Sequence, residues 1–301
     1  KNAKRGLVVS KDRGRWGVVL DEDGTLVTCM RAREMGRTNV VVGDHVGVVG
    51  DTSGKKDTLA RIVRLEDRTS VLRRTADDTD SFERIVVANA DYLLIVSAVA
   101  DPPPRTGFVE RALIAAFVGG LTPLVCLTKS DLADPSTFAA EFRDLDVEVL
   151  TTGVDDSLEE LTERITGHVS ALVGHSGVGK STLFNRLIPD AERATGEVSG
   201  VGKGRHTSTQ SVALKLPQGG WIIDTPGIRS LGLAHVDPDT VVEVFEDLRE
   251  VIEDCPRGCT HMGPPADPEC ALDTLTGASA RRVTAIRRLL EALRSNNEWE
   301  M

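Results

Sequence analysis

Residues 170–188 read Ser-Ala-Leu-Val-Gly-His-Ser-Gly-Val-Gly-Lys-Ser-Thr-Leu-Phe-Asn-Arg-Leu-Ile, and this stretch decides the fold. Residues 170–173 predict a short buried strand, and Lys180 to Ile188 has the spacing of an amphipathic helix. Between them Gly174, His175, Ser176, Gly177, Val178, Gly179, Lys180 and Ser181 match G-x-x-x-x-G-K-[ST], the phosphate loop, with the correct flanks. The glycines let the backbone wrap so that its N–H groups point at phosphate oxygens. The helix N-terminus favours the same negative charge. Lys180 is expected on the β- and γ-phosphates, the Ser181 hydroxyl on Mg²⁺, and Thr182 beside them in the first helical turn.

Downstream, residues 220–223 (Gly-Trp-Ile-Ile) predict a strand ending in Asp224-Thr225-Pro226-Gly227, a D-x-x-G pattern. Asp224 would hold Mg²⁺ through water, and the Gly227 N–H would sense the γ-phosphate. Residues 196–207 lie between the two motifs and hold four glycines in nine residues. They read as a flexible switch segment in which Thr207 offers a hydroxyl to Mg²⁺. Upstream, Thr128-Lys129-Ser130-Asp131 caps a predicted strand over 122–127, where ligand-contacting residues of an open α/β sheet belong. The Asp131 carboxylate can accept from guanine N1 and N2, a donor pair adenine lacks, while Lys129 lays its stem along the base. A further strand over 147–150 ends in Thr151-Thr152, placed to present a backbone N–H to guanine O6. The guanine reader therefore precedes the phosphate loop, the reverse of an ordinary GTPase.

Around these motifs strands at 92–98, 122–127 and 147–150 alternate with helices near 108–118, 136–145 and 158–168, which predicts a mostly parallel sheet covered by helices. Residues 64–90 read as a polar connector.

The first 75 residues differ in charge and pattern. They carry 16 Lys and Arg against 10 Asp and Glu, although the 301-residue chain has a net charge of −10. Five short β-branched runs, at 7–10, 16–20, 26–29, 46–49 and 58–63, suit a small OB-type barrel. A basic barrel of this kind commonly binds nucleic acid, and Arg13, Arg15, Arg31, Arg33 and Arg37 are the candidate RNA contacts.

At the other end Cys255, Cys259, His261 and Cys270 offer three thiolates and an imidazole, a full tetrahedral set for one structural Zn²⁺. Cys29 and Cys126 lie in apolar strands and read as core residues. A last helix near 278–293 carries Arg281, Arg282, Arg287 and Arg288, either a solvated face or a second RNA contact. No run of eighteen apolar residues and no leader pattern occurs, and the cysteine usage suits a reducing compartment, so a cytoplasmic protein without membrane association is expected. Nothing demands a dimer, and a monomer is expected.

Taken in order, the barrel-like start, TKSD, GHSGVGKS, GRHTST, DTPG and the Cys3His set make the chain resemble the circularly permuted, ribosome small subunit-dependent GTPase A (RsgA) family over nearly its whole length. The resemblance implies an OB-fold domain over 1–68, a permuted P-loop GTPase domain over 69–235 and an α-helical zinc domain over 236–301. It implies GTP hydrolysis to GDP, stimulated by the small ribosomal subunit, and a role in late maturation of that subunit near the decoding region of its rRNA. The ligand spacing C-x3-C-x-H-x8-C departs from the family's commoner C-x4-C-x-H-x5-C. Ile228 follows the D-x-x-G motif where many GTPases carry a water-orienting Gln, and an apolar side chain cannot orient water. His206, beside Thr207, is the family-based candidate for that task and joins Lys180 and Thr207 as the expected catalytic set; the alternative is that His206 packs or contacts rRNA. The rival reading of the whole chain is a nucleotide-regulated RNA-binding assembly factor of another RNP or of the large subunit, with little hydrolysis of its own.

Overall fold

Alternating apolar residues in five short strands close on themselves at the start of the chain. The computed structural model describes residues 2–75, 82–199, 211–225 and 231–295. Strands β1 (Lys4–Asp12), β2 (Arg15–Leu20), β3 (Leu26–Arg31), β4 (His45–Gly50) and β5 (Ala60–Leu65) form a closed barrel in the order β1-β2-β3-β5-β4. Only the β3–β5 pair is parallel. Every second side chain points inward, so Val18, Leu20, Val27, Cys29, Val46, Val48, Ala60 and Ile62 fill the barrel. Burial pushes the Cys29 thiol up to about 12, and Cys126, buried in the sheet core, is likewise pushed up to about 12. Both are inert core groups, as expected.

The barrel joins the rest of the molecule at a partly buried ion pair in which Arg68 Nε donates to Asp44 Oδ1 at 2.7 Å. Gly43 turns there with φ +94°, and a Cβ would overlap the Ala88 carbonyl. The stretch expected as a polar connector is not featureless: β6 (Val71–Arg74) and β7 (Arg84–Ala88) pair as an antiparallel hairpin. The hairpin buries only Leu72, Val87 and Ala88, too few apolar positions to stand out beside Arg73 and Arg74.

A six-stranded sheet follows. Its elements are β8 (Tyr92–Ala98), α1 (Thr106–Gly119), β9 (Thr122–Thr128), α2 (Ser136–Ala140), β10 (Glu148–Thr152), α3 (Glu159–Ile165), β11 (Val169–Val173), α4 (Lys180–Leu187), α5 (Ala191–Ser199), β12 (Val212–Lys215) and β13 (Trp221–Asp224). The order is β10-β9-β8-β11-β13-β12, all parallel except β12. The helix expected over 136–145 is broken. It ends at Ala140, a 3-10 turn spans Arg143–Leu145, and Asp146 reverses the chain with φ +55°.

Both faces of the sheet are covered. Ile95, Val125 and Val173 pack with Phe108 and Leu113 of α1, while Leu94, Leu124 and Leu172 pack with Leu161, Leu183 and Leu187 on the other side. Full burial of each such side chain is worth about 2 kcal/mol. The C-terminal part adds α6 (Pro238–Glu243), α7 (Glu246–Arg249) and α8 (Gly277–Arg294), and Ile286 and Leu290 of α8 join the α1 side of the core. Among the described residues no helix is long and apolar enough to cross a membrane.

Candidate nucleotide site and metal centre

The strand register brings the two nucleotide motifs together despite their order in the chain. Strand β8 separates β9, which ends in Thr128, from β11, which leads into the phosphate loop. The Thr128 hydroxyl crosses this gap and donates to the Val178 carbonyl, and a Cβ on Gly179 would lie 3.6 Å from that hydroxyl. Gly177 and Gly179 have φ of +83° and +89°, the left-handed conformation that a side chain would strain, and Gly179 caps α4. Val178 is buried beneath the loop, whereas Ser176, Ser181 and Thr182 are exposed at the mouth. Gly174 sits so close to Val96 that a Cβ would lie 2.9 Å from the Val96 carbonyl.

His175 turns inward. It stacks edge-on against Phe108 at 5.7 Å, and its Nδ1 faces the Ser176 carbonyl. Burial lowers its pKa, so the imidazole is neutral at pH 7. Lys180 Nζ donates to Asp224 Oδ1 at 2.6 Å, which places the D-x-x-G carboxylate beside the phosphate-loop cation. Thr225, just beyond, is anchored to the Leu172 carbonyl.

At the TKSD end, Lys129 has φ +59° and its ammonium reaches the Asp101 carbonyl across the site. The Val154 N–H donates to Asp131 Oδ1 at 3.2 Å, and the Ser130 N–H to the Thr152 carbonyl at 3.3 Å. Thr152 is buried, while Thr151 is exposed. Two residues that the motifs do not mark shape this loop. Asp156 accepts from the Gly153 N–H at 2.5 Å and from Ser130 Oγ at 3.3 Å, and Arg186 of α4 donates to the carbonyls of Gly153 and Asp156. Arg186 thus ties the loop after β10 to the helix that starts at the phosphate loop.

The expected switch segment is partly corrected: residues 196–199 form the last turn of α5 rather than a flexible stretch. Side-chain packing of Val198 against both core faces outweighs the cost of Gly196 in a helix, about 1 kcal/mol. His206 and Thr207, as well as Gly227 and Ile228, lie outside the described residues.

Of the expected RNA contacts, Arg13 and Arg15 flank the exposed β1–β2 turn, and the register Trp16↔Cys29 sets Arg31 beside it. Arg31 donates to the Thr38 carbonyl and lies 5.8 Å from the Trp16 ring centroid, with Lys11 at 5.7 Å. Arg33 and Arg37 are exposed just after β3. The arginines of α8 resolve differently. Arg281 pairs with Asp144, Arg282 with Asp146 and Asp247, and Arg287 with Asp273, while Arg288 donates to the Glu141 carbonyl. They clamp α8 in place instead of forming a free basic face.

Cys255, Cys259, His261 and Cys270 converge, with one ligand atom from each lying within 4.8 Å of every other. Cys255 Sγ is 3.6 Å from His261 Nδ1, close to the ~3.6 Å that separates sulfur from nitrogen across a tetrahedral metal with bonds of about 2.3 and 2.05 Å. The donor set fits a metal ion, and the unusual spacing does not prevent it. The surroundings fit as well: the Ala271 N–H faces Cys255 Sγ, and Asp239 of α6 holds His261 Nε2 at 2.8 Å.

The buried Arg111 of α1 also escaped the sequence reading. It donates to the carbonyls of Leu231 and Ala292, joining the chain just beyond the D-x-x-G motif to α8.

Residues 65–234 match the family model described as RsgA GTPase. A small ribosomal subunit biogenesis GTPase RsgA from Gemmatimonas aurantiaca is 35% identical over 278 residues, covering 89% of this chain and 89% of that protein. The protein of the same name from Chlorobaculum parvum is 32% identical, covering 93% and 94%. Among solved structures, YjeQ from Thermotoga maritima aligns with a TM-score of 0.68 at 24% identity, over 97% of this chain and 99% of that one. YloQ, a circularly permuted GTPase, aligns at 0.67 and 20% identity over 98% and 97%, so the barrel, sheet and C-terminal module share one fold across these proteins. With its family match over more than half the chain and curated relatives above 30% identity over most of its length, this protein belongs to the RsgA GTPase family.

Proposed function

We propose that this protein hydrolyses GTP to GDP and phosphate when docked on the small ribosomal subunit, and that it acts in late assembly of that subunit in the cytoplasm, as a monomer. The observation that carries this reading is the meeting of TKSD and the phosphate loop through Thr128 and Val178, on a chain that also carries a barrel with a basic turn. Asp131 and Lys129 select guanine, with Thr151 and Thr152 at O6. The backbone of 174–179, with Lys180, holds the phosphates. Ser181, Thr207 and Asp224 serve Mg²⁺, and the Gly227 N–H senses the γ-phosphate. Lys180 would exchange its contact with Asp224 for the phosphates.

The metal of the Cys3His centre is Zn²⁺, one per chain, with a structural role, because three thiolates and an imidazole complete its coordination. Arg13, Arg15, Arg31, Arg33 and Arg37 meet rRNA phosphates. The barrel over 1–68, the nucleotide unit over 69–235 and the metal unit over 236–301 are the three working parts.

Co-sedimentation tests the partner directly. With a non-hydrolysable GTP analogue the protein should pellet with small subunits and be released with GDP. Equal pelleting with large subunits, or no nucleotide dependence, would overturn the assignment.

A further inference from the structure

The hairpin that carries the basic turn of the barrel also carries Ser10, which touches the end of α5, the stem of the expected switch segment. Strand β1 carries a bulge between Val8 and Ser10, which turns the Ser10 side chain out of the regular alternation. Ser10 is 7% exposed, and its hydroxyl donates to the Val198 carbonyl at 2.9 Å. Val198 lies in the last turn of α5, where carbonyls have no partner within the helix. The residue paired with Ser10 is Gly17, and a Cβ there would overlap the Ser10 hydroxyl and come within 3.4 Å of the Val198 carbonyl. Bulge, hydroxyl and missing side chain all serve this single contact. One pair further along the same hairpin are Lys11 and Trp16, then the turn with Arg13 and Arg15.

We infer that Ser10 is a positioning residue through which the barrel controls the stem of residues 200–210, and with it GTP hydrolysis. RNA phosphate held at the β1–β2 turn moves or stiffens the hairpin, and the Ser10–Val198 bond carries that change to the end of α5. The inference rests on the proposed subunit-stimulated activity and adds the route by which stimulation enters from the barrel. Ser10 touches neither nucleotide nor Mg²⁺, so its effect is confined to stimulated turnover.

The experiment compares the full chain with Ser10→Ala, Gly17→Ala and the double variant. Turnover is measured alone and with saturating small subunits, subunit affinity by co-sedimentation, and amide exchange across 191–199 by mass spectrometry. Each single variant should keep intrinsic turnover and subunit affinity within about twofold, and lose about two- to tenfold of stimulated turnover, the worth of one hydrogen bond. The double variant should be no worse than Ser10→Ala, because both changes break the same bond. Unchanged stimulated turnover in both single variants overturns the inference, as does an equal loss of intrinsic turnover. Should small subunits leave wild-type turnover unchanged, the proposed function fails by itself. Amide exchange then decides the inference: faster exchange near Val198 in both variants upholds barrel control of the stem, and unchanged exchange overturns it.

Discussion

Asp239 Oδ1 lies 2.8 Å from His261 Nε2, while Nδ1 of the same ring faces Cys255 Sγ at 3.6 Å. The carboxylate fixes the tautomer with the proton on Nε2 and leaves the Nδ1 lone pair for a metal. Asp239 sits at the start of α6, on the stretch of chain that follows the D-x-x-G motif. Asp239→Asn should weaken Zn²⁺ binding about 10- to 100-fold, the usual cost of losing such a partner. Competition with a chromophoric chelator measures it, and unchanged affinity would show that the carboxylate does not orient the ring.

Lys180 and Asp224 form the second pair of consequence, at 2.6 Å. On the proposed reading Lys180 gives phosphate a charge-assisted hydrogen bond worth about 1.5–3 kcal/mol, so in Lys180→Ala GDP affinity should fall by about 10- to 150-fold. Fluorescent-nucleotide titration reads this, with thermal unfolding as the control for an intact fold.

Asp131 is exposed and held by the Val154 N–H. Asp131→Asn replaces an acceptor by a group that also donates, which suits the C2 carbonyl of xanthine better than the guanine amino group. Guanine nucleotide affinity should fall on the order of 100-fold, from two charged hydrogen bonds, and xanthosine diphosphate should become the better competitor. Continued preference for GDP would remove Asp131 from the guanine site.

Glu110 of α1 sits near Arg288 and Glu291 of α8, and burial raises its pKa to about 7, with Arg288 opposing and Glu141 and Glu291 adding to the rise. Its carboxyl is protonated in the folded protein at pH values where the unfolded chain has already lost the proton. The folded state therefore binds more protons from about pH 4.5 to 7, and stability falls as pH rises through that window. Glu110→Gln should flatten this part of the urea-midpoint profile, relatively stabilising the protein at pH 8 more than at pH 5. An unaltered profile would place the carboxyl in water.

The phosphate loop, the inverted motif order and the four residues of the Cys3His cluster were legible because each is a local spacing of few residue types. The barrel was legible from strand alternation, with the fifth strand starting at Ala60 instead of Thr58. What stayed hidden depends on partners far apart in the chain. Arg186 reaches Asp156 across 30 residues, Asp239 reaches His261 across 22, and Ser10 reaches Val198 across 188. Arg281 and Arg282 of α8 looked available because two of their carboxylate partners, Asp144 and Asp146, belong to another part of the sequence.

His206 supplies the catalytic test. Ile228, which follows the D-x-x-G motif in the sequence, is apolar and cannot orient a water, so on the proposed reading His206→Ala should lower subunit-stimulated hydrolysis about 10²- to 10⁴-fold while sparing GTP binding. Unchanged stimulated hydrolysis in that variant would assign the task to another residue.

Phosphate release from GTP, followed with the protein alone, with small subunits, with large subunits and with free rRNA, tests the central claim most directly. The account predicts slow release from the protein alone and a large acceleration by small subunits only. Equal rates in all four conditions, or acceleration by large subunits, would contradict it.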